Sequence, residues 1–225
     1  MTPGQLKEIA EGYHRQLLES EPGLDYYRQA GVSRHSLKEF QLGWVTEPLR
    51  AGHQPLVGTP VTPYLNAQGT VNQLRFNAFE WDEAGDWRVG CFESAYPLDS
   101  PEVHLFNVGH ALPGLRSNEV VLVEDVRSAV LMRQLRARVV GVPGYVNFYE
   151  PWYELLGDSS VILVCNEERF ADARYVMRQM RRRNIEHHVV MLPETMLMSQ
   201  AIQQFETLEN IRREFGTNIR EDDDD

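Results

Sequence analysis

Lysine is almost missing from this chain: Lys7 and Lys38 are the only two, and the remaining fixed positive charge is all arginine. With a formal net charge of −11, the sequence argues against a protein coated in positive charge for nucleic acid. Any phosphate contact must be confined to local arginine clusters, whose guanidinium groups suit bidentate contacts. Cysteine is scarce as well. Cys91 and Cys165 lie far apart, so neither a disulfide framework nor a zinc site follows, and a reducing, cytoplasmic compartment is the expectation. No apolar run approaches the roughly 18 residues of a membrane span, and no signal-peptide pattern opens the chain. Repeats and low-complexity segments are missing too, apart from the acidic tail Glu221-Asp222-Asp223-Asp224-Asp225, which reads as disordered, with competition for a basic groove or docking on a partner as the alternative. What the chain does have is material for a core, 42% hydrophobic and 10% aromatic over 225 residues, with room for one large domain or two small ones.

The first half mixes helix and strand signals. Gln5 to Leu18 carries apolar residues near helical spacing, and Glu21-Pro22-Gly23 reads as its breaker. Leu24 to Gln29 forms a second short helix, and Ser33 caps a third that runs through Phe40. Residues 46–60 read as a loop rich in Pro and Gly. Val61–Leu65 and Val71–Phe76 flank Asn66-Ala67-Gln68-Gly69, a hairpin signal, and a third strand is expected around Trp87-Arg88-Val89. From Val120 onward strand and helix alternate. Strands are expected at 120–123, 138–142, 161–164 and, as the last one, 189–192. Helices are expected at 127–136, 152–156 and 169–183, with a single closing helix over 199–215. This alternation predicts a parallel sheet covered on both faces, so the class is α/β: an α+β N-terminal half joined to a parallel-sheet half.

Two strand ends carry the candidate chemistry. Val120-Val121-Leu122-Val123 runs into Glu124-Asp125, and Val161-Ile162-Leu163-Val164-Cys165 runs into Asn166-Glu167-Glu168. A buried parallel strand needs no apolar/polar alternation, and ligands of open α/β sheets bind beyond the carboxyl ends of the strands. Acidic ends on neighbouring strands suit a shared divalent cation and phosphoryl or nucleotidyl transfer. The alternative is that they are helix-start charges favoured by the dipole. Arg174, Arg178 and Arg181 fall at i, i+4 and i+7, one helix face that either tracks a nucleic-acid backbone or is simply solvated. Tyr145, Phe148, Tyr149, Trp152 and Tyr153 form an aromatic cluster that reads as packing, with stacking on unpaired bases as the alternative.

Leu98-Asp99-Ser100-Pro101-Glu102, Leu105-Phe106, Leu112 and Gly114-Leu115 together resemble the segment that precedes the catalytic TOPRIM fold of bacterial-type DNA primases. There the segment reads approximately Leu-Asn-Ser-Pro-Glu-Thr-x-Leu-Phe and ends in Leu-Tyr-Gly-Leu. Glu124-Asp125 follows in the place of that family's Glu-Gly motif. Tyr27 to Ser33, and Phe40-Gln41-Leu42-Gly43-Trp44 after it, are similar to the N-terminal part of the same core, as is the hairpin from Pro63 to Phe76. The resemblance covers roughly residues 20–195. It implies a primase-like subdomain over 1–115, a TOPRIM-like α/β subdomain over 116–198, and a C-terminal helix and acidic tail over 199–225.

The same resemblance implies template-directed nucleotidyl transfer on single-stranded DNA, with nucleotides and Mg²⁺ or Mn²⁺. It gives Glu124 and Asp125 catalytic roles, assigns the metal to Glu124, Asn166 and Glu168, and assigns nucleic acid to Arg75, Arg88, Arg174, Arg178 and Arg181. The departures from the family pattern are specific. Its second motif, Asp-x-Asp-x-Ala-Gly, aligns with Asn166, Glu168, Phe170 and Ala171, so neither Asp is kept. Ser128 replaces an Asp after the first motif, and Val108 replaces a Lys beside Leu105-Phe106. The 225 residues show no Cys/His zinc module and no Gly-x-x-x-x-Gly-Lys helicase loop, so helicase, polymerase or zinc-binding replication partners would be separate proteins. A stripped core of this kind suits a phage or mobile element. Two competing expectations stand beside the primase: a non-catalytic nucleic-acid-binding or replisome-interaction subunit, and a TOPRIM nuclease.

Overall fold

The computed structural model describes residues 1–66, 68–76, 91–95, 105–111, 119–142, 144–145, 148–194, 196 and 198–217. The strand expected around Trp87-Arg88-Val89 lies outside them. The chain divides into two compact units, Met1–Pro113 and Gly114–Asp225.

In the first unit, α1 (Pro3–Glu19) starts at a capping box in which Thr2 Oγ1 accepts from the Gln5 N–H and the Gln5 side chain accepts from the Thr2 N–H. Leu6, Ile9, Ala10, Tyr13 and Leu17 are buried along one face of it. Glu21-Pro22-Gly23, expected to break the helix, instead opens α2 (Glu21–Gln29). Ser20 caps it through the Gly23 N–H, and Pro22 sits in the first turn, where its missing N–H has no intrahelical partner to lose. Next come α3 (Arg34–Glu39), capped by Ser33, and β1 (Gly43–Trp44). The expected loop over 46–60 contains a 3-10 helix, Ala51–Leu56.

β2 (Pro60–Leu65), β3 (Val71–Phe76) and β4 (Cys91–Ser94) complete an antiparallel sheet in the order β1-β2-β3-β4. Asn66 holds the β2–β3 turn, its Oδ1 accepting from the N–H groups of Gln68 and Thr70. α1 packs on this sheet around Val61, Val71, Leu74 and Phe76. A short α4 (Val108–Ala111) follows.

The second unit runs β5 (Glu119–Val123), α5 (Val126–Gln134), β6 (Val139–Gly141), α6 (Glu150–Leu156), β7 (Ser160–Asn166), α7 (Phe170–Arg182) and β8 (His187–Leu192). A 3-10 turn at Glu167–Arg169 joins β7 to α7. The strand order is β6-β5-β7-β8-β9, parallel except for the edge strand β9 (Gly216–Thr217). The 189–192 segment is therefore not the last strand. The expected single closing helix is two, α8 (Met198–Phe205) and α9 (Leu208–Phe215), because Glu206 takes φ 59° and Thr207 caps a new helix through the Asn210 N–H.

The connection from β5 goes outward to β6, and the next returns past β5 to β7. The direction in which successive connections move across the sheet thus reverses between the parallel strands β5 and β7, which puts the ligand-binding crevice of an open α/β sheet at their carboxyl ends.

Candidate functional site

Glu124 follows the last residue of β5 and stands at that reversal. β5 and β7 pair in register as far as Leu122 and Leu163. Beyond that point the fully buried Tyr145 takes over their hydrogen bonds. Its hydroxyl accepts from the Val164 N–H at 3.1 Å, with the carbonyl oxygens of Leu122 (2.9 Å) and Val164 (2.8 Å) within reach of its O–H. Burial, then the nearby Glu124 charge, pushes the Tyr145 phenol well above its ordinary range, so it stays a protonated wedge between the strands.

Gly144 makes the geometry possible, since its φ of +94° is one that side-chain-bearing residues rarely adopt. The next N–H, that of Tyr145, donates to Glu124 Oε1 at 3.0 Å. Burial raises the Glu124 pKa above the usual carboxylate value. The Tyr145 N–H and the Arg169 guanidinium lower it, while Asp172 and Asp125 add like charge. Arg169 Nη1 also lies 3.8 Å from Asp172 Oδ2. Beside them the Cys165 thiol is pushed up to about 12, mainly by burial and further by Glu124.

No family model matches the sequence, and no curated protein matches it either. Solved structures do match. The zinc-binding and RNA polymerase domains of the Aquifex aeolicus primase superpose with a TM-score of 0.73 at 16% identity, covering 94% of this chain and 60% of that one. A DnaG primase catalytic domain bound to ssDNA gives 0.72 at 12% identity, covering 94% and 78%. The RNA polymerase domain of Mycobacterium tuberculosis DnaG gives 0.68 at 13%, covering 93% and 80%. The fold is that of a DnaG primase catalytic core.

Within this primase core fold, two of the expected site residues are engaged in local caps. Asp125 caps α5, its Oδ1 accepting from the Ser128 N–H at 2.6 Å. Asn166, the last residue of β7, caps the following turn through the Arg169 N–H at 3.0 Å. Glu168 is exposed in that turn. Among the described residues, no three His, Cys, Asp or Glu side chains gather as a metal-binding group. A hard divalent cation favours several free anionic oxygens. Here one carboxylate is half-buried and hydrogen-bonded, two neighbouring oxygens serve as caps, and Arg169 already supplies positive charge. The described residues therefore hold no ready-made set of three such donors for Mg²⁺ or Mn²⁺.

The expected nucleic-acid contacts separate into different environments. Arg75 is 5% exposed; its Nε donates to Gln73 Oε1 at 3.1 Å, and its guanidinium lies 4.4 Å above the Tyr64 ring. It is part of the β-rich core and is not offered to a phosphate. Arg88 lies outside the described residues. On α7, Arg178 and Arg181 are exposed and Arg174 is half-buried.

Among the aromatic residues, Tyr145, Trp152 and Tyr153 are buried, while Phe148 and Tyr149 are half-buried and pack edge-on or tilted against Trp152. Sequence reasoning missed Arg169 and Asp172 as neighbours of Glu124. It also missed the role of Tyr145, whose one local signal was the glycine before it.

Proposed function

We propose that the chain is a primase-fold protein of DNA replication that binds single-stranded DNA and does not polymerise nucleotides at the Glu124 crevice. The likeness to DnaG catalytic cores across 94% of the chain supports the replication role. One of those similar structures is by name bound to ssDNA. The observation that carries the non-polymerising form is the engagement of the crevice oxygens: Tyr145 N–H on Glu124, Ser128 N–H on Asp125, Arg169 N–H on Asn166. In this reading Arg178 and Arg181 meet backbone phosphates electrostatically, and polymerase, helicase and zinc-binding functions belong to separate replication proteins.

A second reading, template-directed nucleotidyl transfer with Mg²⁺ or Mn²⁺, is favoured by one observation: a half-buried carboxyl at the point where the strand order reverses, where open α/β sheets take their ligands. Incubating the purified protein with single-stranded DNA, nucleotides and either metal separates the two. Binding with no oligonucleotide product is the expected result. Product formation that Glu124→Gln abolishes would establish the second reading and overturn the first. Strand cleavage would mark a nuclease, and failure to bind single strands would overturn both.

A further inference from the structure

The outer face of α7 differs from the arginine stripe read off the sequence. Ala173, Val176, Met177 and Met180 are buried, while Ala171, Tyr175, Arg178, Arg181 and Arg182 are exposed; of these, Ala171, Tyr175, Arg178 and Arg182 form one line, spaced i, i+4, i+7 and i+11. Tyr175 is 56% exposed, the most exposed large hydrophobic side chain described. Its ring offers an apolar face with a polar tip, a surface on which a base can stack. This line carries no carboxylate, on a chain whose formal net charge is −11. The helix begins directly after Arg169 and one turn after Asn166, at the mouth of the Glu124 crevice, and extends about 20 Å from it.

An aromatic face interleaved with arginines is the chemistry that holds an unpaired strand: bases stack on the ring while guanidinium groups meet phosphates. We infer that the Tyr175–Arg178–Arg182 line of α7 is a docking track for single-stranded DNA leaving the crevice, with one base stacked on Tyr175 and the flanking phosphates on Arg178 and Arg182. This rests on the single-strand-binding reading above and assigns it a place. Neighbouring side chains already use the same chemistry, for the Arg183 guanidinium lies 4.5 Å over the Tyr153 ring while pairing with Glu150.

The test is fluorescence anisotropy of the full chain with a labelled oligothymidylate and with an abasic deoxyribose-phosphate oligomer of equal length. The wild type should bind the oligothymidylate more tightly than the abasic strand. Tyr175→Ala should weaken oligothymidylate binding about ten-fold and erase that preference, while Tyr175→Phe keeps it. Arg178→Gln and Arg182→Gln should each lower the slope of log K against log salt by about 0.7 and leave the preference for bases intact. The melting temperature of each variant serves as the folding control. Wild-type protein that binds single strands while Tyr175→Ala binds equally well would overturn the track alone. Equal affinity for abasic and base-bearing strands would overturn the stacking role. Wild-type protein with no affinity for single strands would overturn the function reading itself, and the track with it.

Discussion

The surroundings of Glu124 favour its protonated form. Burial disfavours the carboxylate, and the Tyr145 N–H and Arg169 partly offset that. Its folded pKa is raised above 4.5, so the native protein retains a proton that the unfolded chain releases. The sign follows from linkage: the contribution to stability is full below the unfolded value and is lost as pH rises through the folded one. Glu124→Gln removes the titration. The melting temperature of the variant relative to wild type should therefore climb as pH rises above 4.5 and then level off. Thermal melts of both proteins across this range decide it, and a flat difference would mean that the carboxylate is solvated. Asp125, one residue on, has a different job because it falls at the N-cap position, where its oxygen meets a backbone N–H.

Between elements, the β5–β7 seam depends on a side chain from a connecting segment. Past Leu122 and Leu163 the two strands no longer bond each other directly, and the Tyr145 hydroxyl serves the backbone groups of both. Tyr145→Phe would leave the buried Val164 N–H and Leu122 carbonyl without that partner. A loss of about 1–3 kcal/mol in chemical denaturation is expected. A change near zero would show that the seam closes by direct strand pairing instead. The C-terminal segment makes the same point about connections: apolar spacing suggested one helix, but a positive φ at Glu206 and the Thr207 cap divide it and bring β9 alongside β8.

For the whole molecule, a crevice in which one oxygen each of Glu124, Asp125 and Asn166 accepts a backbone N–H, with the Arg169 charge nearby, predicts little response to divalent cations. A metal bound at one hundred times its Kd would add about 2.7 kcal/mol to stability. Melting temperature and single-strand affinity are instead expected to be the same in millimolar Mg²⁺ as in chelator. A rise of several degrees with Mg²⁺, lost in Glu124→Gln, would reinstate a metal site. Among the described residues no helix is long and apolar enough to cross a membrane.

The sequence alone determined the class and the main strands of both sheets. Doubly buried strands announce themselves as unbroken β-branched runs at Val120–Val123 and Val161–Val164, and the change from hairpin to alternating strand and helix marks the two kinds of sheet. The ordered primase-like motifs pointed to the fold that the solved structures share. Tertiary structure alone decided which face each element hides. Arg75 has the spacing of a surface position, yet every residue of β3 is buried, and the guanidinium is drawn into the core over Tyr64. The helical phase of α7 was legible, but the sheet beneath it selects Tyr175 and Arg182 for solvent and half-buries Arg174. The bonds made at the two strand ends were likewise not legible: Asp125 Oδ1 accepts from the Ser128 N–H and Asn166 Oδ1 from the Arg169 N–H.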